Sequence, residues 1–268
     1  IEKAPDSFKD AKYSAHRERS VGLGVMGFHS FLQKNSIPFE SVMAKVWNTK
    51  IFKYIDQEVN KASKKLAEER GPCPDAKDYG IMERFSNKTA IAPTASISII
   101  CGGSSPGIEP IAGNSYTHKT LSGSFNVRNK FLEEVLNKYG KNDNETWSSI
   151  TTTQGSVQHL DFLTQEEKDV FKTAFELDQR WLIDLSADRT PYISQAQSLN
   201  IFLPADVHKK DLHQIHFQSW KKGLKSLYYC RSKSIQRAEV ISKSFVASPA
   251  EKTQNEEPKN YEECLSCQ

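Results

Sequence analysis

Residues 87–110 read NKTAIAPTASISIICGGSSPGIEP. A short apolar approach, Ala90-Ile91-Ala92, is stopped by Pro93 and followed by Thr94, Ala95, Ser96, Ile97 and Ser98. Gly102, Gly103, Pro106 and Gly107 come next. Small residues and glycines let backbone N–H groups approach an anion, and three hydroxyls in five positions add donors. A helix starting near Ser96 would add the N-terminal preference for phosphate. The run is no Walker P-loop, because no Gly-Lys-Ser/Thr follows. An ordinary hydroxyl-rich turn from strand to helix accounts for the same residues.

Outward from this stretch, short apolar strands alternate with amphipathic helices, the pattern of an α/β fold. Upstream, Gly22-Leu23-Gly24-Val25-Met26-Gly27 fits GxGxxG. With neither the preceding apolar strand nor the acidic residue of a dinucleotide site, the glycines are expected to serve close packing before a helix over 28–34. Residues 40–70 predict one long helix with Val42, Val46, Ile55, Val59, Ala62 and Leu66 inward, stopped by Gly71-Pro72. Cys73 reads as a packing residue.

Downstream, residues 125–139 predict an amphipathic helix closed by Gly140, and 141–153 a polar loop. Thr164 to Glu167 form a capping box. Val170, Ala174, Leu177 and Trp181 then share the stripe of one buried helix. Residues 201–203 have strand character. Residues 206–222 predict a helix with Leu212, Ile215 and Trp220 inward, and 224–230 a strand. His213 and His216 have a chelating spacing, but no third ligand is evident, so exposed helix histidines are expected and no metal site. Residues 1–20 read as a polar arm or linker.

The 268 residues carry 36 basic and 33 acidic side chains, with 37% hydrophobic residues. This is the composition of a soluble globular chain, with no basic stripe for nucleic acid and no apolar run of bilayer length. Five cysteines at 73, 101, 230, 264 and 267 make no secreted disulfide framework and fit a reducing cytoplasm. No signal peptide heads the chain, and Ile1 suggests processing or a part of something longer. From Ser232 the sequence turns polar and reads as a flexible tail, 232–268, ending Cys264-Leu-Ser-Cys267-Gln268. The terminal pair is open to three readings: half a zinc site, a redox dithiol, or chance. Two thiols without a histidine fall short of zinc's four ligands, and a coil from Arg231 to Cys264 would span about 30 Å, enough to carry a dithiol into a deep site. Tyr228-Tyr229 is, on its face, one core and one edge side chain of a strand.

In order along the chain, RSVGLGVMGFHSFL, AIAPTASIS, GIEP, LSGSFNV, ADRTPYISQAQSLNIFL, HFQSWKKGLKSLYYCRS and the terminal CxxC resemble the large (α) subunit of class I ribonucleotide reductase. The resemblance covers nearly all of 15–268. It implies that residues 1–231 form the C-terminal half of a ten-stranded α/β barrel that reduces ribonucleoside diphosphates. By matched position it implies that Thr94, Ala95, Ser96, Ile97 and Ser98 hold the substrate diphosphate. It makes Tyr228 and Tyr229 a radical relay from the metal-containing small (β) subunit, a role that requires the two rings to approach and the backbone to leave regular strand geometry. Cys264 and Cys267 would be the tail dithiol that takes electrons from thioredoxin or glutaredoxin. The cysteine that bears the thiyl radical should lie upstream of the match. The chain is therefore expected to bind no cofactor itself and to need a partner carrying the N-terminal half. Two alternatives are a non-catalytic binding or scaffolding remnant of the same fold, and a freestanding thiol oxidoreductase. The second lacks the strand-to-helix setting of thioredoxin-like sites.

Overall fold

The computed structural model describes residues 1, 3–120 and 123–232. The elements run α1 (Lys9–Glu18), α2 (Phe28–Lys34), α3 (Val42–Arg70), α4 (Pro74–Asp78), α5 (Ala95–Ile100), β1 (Ser115–Thr120), β2 (Gly123–Arg128), α6 (Lys130–Lys138), α7 (Asn144–Thr152), α8 (Gln165–Val170), α9 (Gln179–Arg189), β3 (Ile201–Leu203), α10 (Lys209–Lys221) and β4 (Cys230–Ser232).

The architecture follows from four parallel segments paired in chain order. Leu23 bridges Thr89, Ile91 bridges Gln197, and β3 pairs with β4 through Ile201 and Cys230. Residues 195–203 thus pair first with 89–91 and then with 228–232. Helices connect the segments, as a parallel arrangement requires. The result is part of an α/β barrel, which agrees with the expected fold. β1 and β2 stand apart as an antiparallel hairpin.

Two apolar clusters hold these parts. One joins Phe28, Leu32, Phe39, Phe52, Ile91, Ile108, Leu182, Ile183 and the β3 residues under α2, α3 and α9. The other joins Leu132, Leu136, Trp147, Ile150, Val170 and Phe171. The glycines before α2 do serve packing: a Cβ on Gly24 would stand 2.6 Å from the Ala90 carbonyl oxygen. α2 begins and ends where its sequence places it, and Cys73 is buried.

Several expectations are corrected. Residues 1–20 are not an arm. α1 buries no side chain, but Arg17 pairs with Asp75 (2.6 Å) and Asp78 on α4. A helix docked by ion pairs has no apolar stripe to betray it. On α3 the inward face is Ala44, Asn48, Phe52, Ser63 and Ala67, while Val42 and Val46 lie exposed. Two of those inward residues are polar and bonded to backbone: Asn48 Nδ2 donates to the Leu185 carbonyl (2.9 Å), and Ser63 Oγ accepts from the Arg84 N–H (3.1 Å). Buried side chains that bond to backbone hide the stripe.

The 125–139 helix starts only at Lys130, because β2 runs to Arg128 and Asn129 caps α6 by accepting from the Phe131 N–H. The 141–153 loop holds α7, capped by Asp143, whose side chain accepts from the Thr146 N–H. The capping box of Thr164 and Glu167 is present, but the helix it starts ends at Val170. Asp178 then caps α9 afresh. Val170, Ala174 and Leu177 are buried all the same, so the stripe is real and its helix is broken. On α10, Ile215 is buried but Trp220 is 73% exposed. β4 begins at Cys230 rather than Leu224. The predicted tail, 232–268, lies outside the described residues from 233 onward.

No helix among the described residues is long and apolar enough to cross a membrane.

Candidate functional site

The site is built where the second, third and fourth parallel segments meet the loop 101–110. The segment 89–91 runs into Pro93, and Thr94 then turns the chain into α5. Thr94 sits in the left-handed region at φ 53°. A β-branched residue at positive φ is strained, and such strain concentrates at functional positions. Its Oγ1 accepts from the Gly107 N–H at 2.8 Å. Gly107 has φ 47°, and a Cβ there would meet the Ala92 carbonyl oxygen at 3.1 Å. The hydroxyl-rich run and the GIEP segment are therefore clasped together.

The first intrahelical bond of α5 runs from the Ser98 N–H to the Thr94 carbonyl (2.8 Å). The N–H groups of Ala95, Ser96 and Ile97 precede that ladder, at the end of the helix where the macrodipole is positive. Ser98 is buried, and its hydroxyl donates to the Ala95 carbonyl (2.7 Å). That hydroxyl steadies the turn instead of facing outward.

Two residues past Gly107, Glu109 is 5% exposed. Its Oε1 accepts from the Asn200 backbone N–H (2.6 Å) and its Oε2 from Asn200 Nδ2 (3.0 Å). Burial pushes the Glu109 carboxyl above its usual range, against the lowering effect of the two Asn200 bonds and the charge of Arg231. Asn200 in turn offers Oδ1 to the Tyr229 N–H (3.1 Å).

The bonds around Asn200 define the tyrosine geometry. The Tyr228 N–H donates to the Leu199 carbonyl, and the Tyr229 carbonyl accepts from the Ile201 N–H, both at 2.9 Å. In a regular parallel ladder one residue would span those two bonds. Here two tyrosines oppose the single Asn200, which is a β-bulge. The extra ladder N–H, that of Tyr229, is the one the Asn200 side chain takes up. The ring centroids of Tyr228 and Tyr229 lie 4.2 Å apart with planes at 50°, and both residues are exposed, at 41% and 44%. The alternation of a regular strand does not hold here, and the approach of the two rings does.

The structure thus brings Thr94, Gly107, Glu109, Asn200 and the tyrosine pair into one connected set. Glu109 and Asn200 carry no role in the sequence analysis. The signal was a lone carboxylate between Ile108 and Pro110, in a segment too apolar to solvate it. Cys264 and Cys267 lie outside the described residues. Of the remaining thiols, Cys73 is buried beside α4, and Cys101 and Cys230 are exposed. His213 stacks on Phe217 and His216 Nδ1 contacts the Leu212 carbonyl (2.8 Å), both on an exposed face. Among the described residues no group of three or more His, Cys, Asp or Glu is placed to hold a metal ion.

Comparison with known proteins converges on one family. The family described as "Ribonucleotide reductase, barrel domain" matches residues 1–81 and 75–230. The ribonucleoside-diphosphate reductase large subunit of Invertebrate iridescent virus 6 is 46% identical over 92% of this chain and 26% of its own length. That of Invertebrate iridescent virus 3 is 41% identical over 100% of this chain and 41% of its own length. Among solved structures, the class Id ribonucleotide reductase alpha subunit of Actinobacillus ureae superposes with a TM-score of 0.80 at 40% identity, covering 90% of this chain and 43% of that one. The chain therefore spans between about a quarter and somewhat under half the length of these relatives.

Proposed function

The chain belongs to the ribonucleotide reductase barrel-domain family, and from that premise we propose that it supplies the C-terminal part of a large subunit that reduces ribonucleoside diphosphates to 2'-deoxyribonucleoside diphosphates. The observation that carries the reading is the bulge that sets the ring centroids of Tyr228 and Tyr229 4.2 Å apart. Two phenols on adjoining rings can hand on a hydrogen atom as a coupled proton and electron, each tyrosine regaining its hydrogen as the next one loses it. The radical would come from the metal-containing small subunit and pass to a cysteine in the rest of the large subunit.

Residues Thr94 to Ser98 are the proposed seat of the substrate diphosphate. The first-turn N–H groups of α5 and its N-cap residue Thr94 lie at the same end of the helix, where negative charge is favoured. Thr94 Oγ1 accepts from Gly107, so its own proton is still available to donate. The reduction consumes two electrons: the ribose 2'-hydroxyl leaves as water while a dithiol becomes a disulfide. Cys264 and Cys267 are the proposed carriers that restore that dithiol, drawing electrons from thioredoxin or glutaredoxin.

The test is CDP reduction by the large subunit assembled with this chain, with small subunit, effector and thioredoxin present. Turnover is expected only when the remainder of the large subunit is supplied. Full turnover by residues 1–268 with small subunit alone would overturn the assignment of the reacting thiol to the remainder.

A further inference from the structure

The ladder bonds alone do not explain why two adjacent tyrosines stay on one side of the chain. A bulge leaves one N–H without a ladder partner, and a buried or half-buried N–H without an acceptor loses its water without compensation. Sliding Tyr229 back into register would recover a ladder bond and send the two rings to opposite faces. Something must make the bulge the cheaper arrangement. Asn200 does so by giving the extra N–H its side-chain oxygen at 3.1 Å. An asparagine side chain can turn, however, and could present its amide nitrogen instead. Glu109 prevents this: its Oε2 accepts only donors, so Asn200 Nδ2 must face Glu109 and Oδ1 must face Tyr229. Its Oε1 fixes the Asn200 backbone through a further bond of 2.6 Å.

We propose that Glu109 and Asn200 are positioning residues for the tyrosine relay, with the carboxylate fixing the orientation of the asparagine amide and the amide fixing the bulge that brings the two rings together. The inference rests on the relay reading of Tyr228 and Tyr229. It adds a cause for their geometry and assigns to the GIEP segment a second task beyond its clasp on Thr94. Neither residue touches reacting atoms. Their effect is on kcat, through the distance and tilt of the rings.

The donor pattern supplies its own rescue. In Glu109→Gln an amide nitrogen faces the Asn200 amide nitrogen, donor against donor. In Asn200→Asp two carboxylates face each other. In the double variant the oxygen of the introduced glutamine amide still accepts from the backbone N–H of residue 200. The nitrogen of that amide donates to one oxygen of the introduced carboxylate, and the other oxygen still accepts from the Tyr229 N–H. All variants are made in the assembled enzyme and assayed for CDP reduction, with Tyr228→Phe as the control for the relay. Each single variant is expected to lose kcat by on the order of 100-fold, the cost of a displacement near 1 Å, with KM for CDP unchanged. The double variant is expected to regain most of it. Single variants with wild-type kcat, or a double variant no better than the singles, overturn the proposal. Undiminished turnover in Tyr228→Phe would instead overturn the relay reading on which it rests.

Discussion

Thr94 and Gly107, thirteen residues apart, are joined by a 2.8 Å hydrogen bond from the glycine N–H to the threonine hydroxyl. That bond holds the strained start of α5 against the loop that leads to Glu109. Replacing Thr94 by Val keeps the shape and removes the acceptor, which leaves a partly buried N–H unsatisfied at a cost of about 1–3 kcal/mol. The expected outcome is weaker binding of CDP to the assembled large subunit, by about 10- to 100-fold. Thr94→Ser retains the hydroxyl and should stay within a few-fold of wild type. Equilibrium binding of the nucleoside diphosphate checks both.

Packing of the first parallel pair yields a second prediction. Gly24 lies so close to segment 89–91 that an added methyl would reach 2.6 Å from the Ala90 carbonyl oxygen. Backbone cannot yield as a side-chain tip can. Gly24→Ala should break the bond in which the Ala90 N–H donates to the Leu23 carbonyl (3.0 Å). Hydrogen exchange at the Ala90 amide should rise sharply, while the amides of α7, in the other apolar cluster, stay protected.

The two regions differ in how plainly their sequences announce them. The glycines at 22–27, the helix at 28–34 and the capping box at Thr164 were legible, because each depends on local sterics or a fixed side-chain offset. The helix α7 was not, since Asn144 to Thr152 is rich in hydroxyls and its register is set by a cap and by the burial of Trp147 and Ile150. The break between Val170 and Gln179 was hidden for the opposite reason. Burial continues through it, so apolar spacing alone reads as one helix. At the site, the hydroxyl-rich run at 94–98 and the tyrosine pair stood out by composition and by resemblance. Glu109 and Asn200 did not, because their roles arise from contacts 91 residues apart in the chain.

A third prediction concerns pH. His29 is fully buried, with Nδ1 accepting from the Ile111 N–H (3.1 Å) and its ring edge-on to Phe39. Burial disfavours the imidazolium and pushes the pKa down to about 3. In the unfolded chain the ring takes up a proton near pH 6.5, whereas in the folded chain it does not until about pH 3. The unfolded state therefore binds more protons between those values, and stability falls as pH is lowered through that window. From pH 7.5 to 5 the loss should be about 2 kcal/mol from this group. It should appear as reduced protection of the Ile111 amide in hydrogen exchange. His29→Asn, which keeps an acceptor for that amide and does not titrate, should remove most of the difference.

The central claim is that Tyr228 and Tyr229 carry the radical across a bulge built for the purpose. Its most direct measurement is the rate of CDP reduction by the assembled enzyme carrying Tyr228→Phe, together with CDP binding to the same variant. Phenylalanine keeps the ring in place and removes the phenolic hydrogen. The account predicts turnover reduced to background with nucleotide binding nearly intact. Turnover equal to wild type would contradict it.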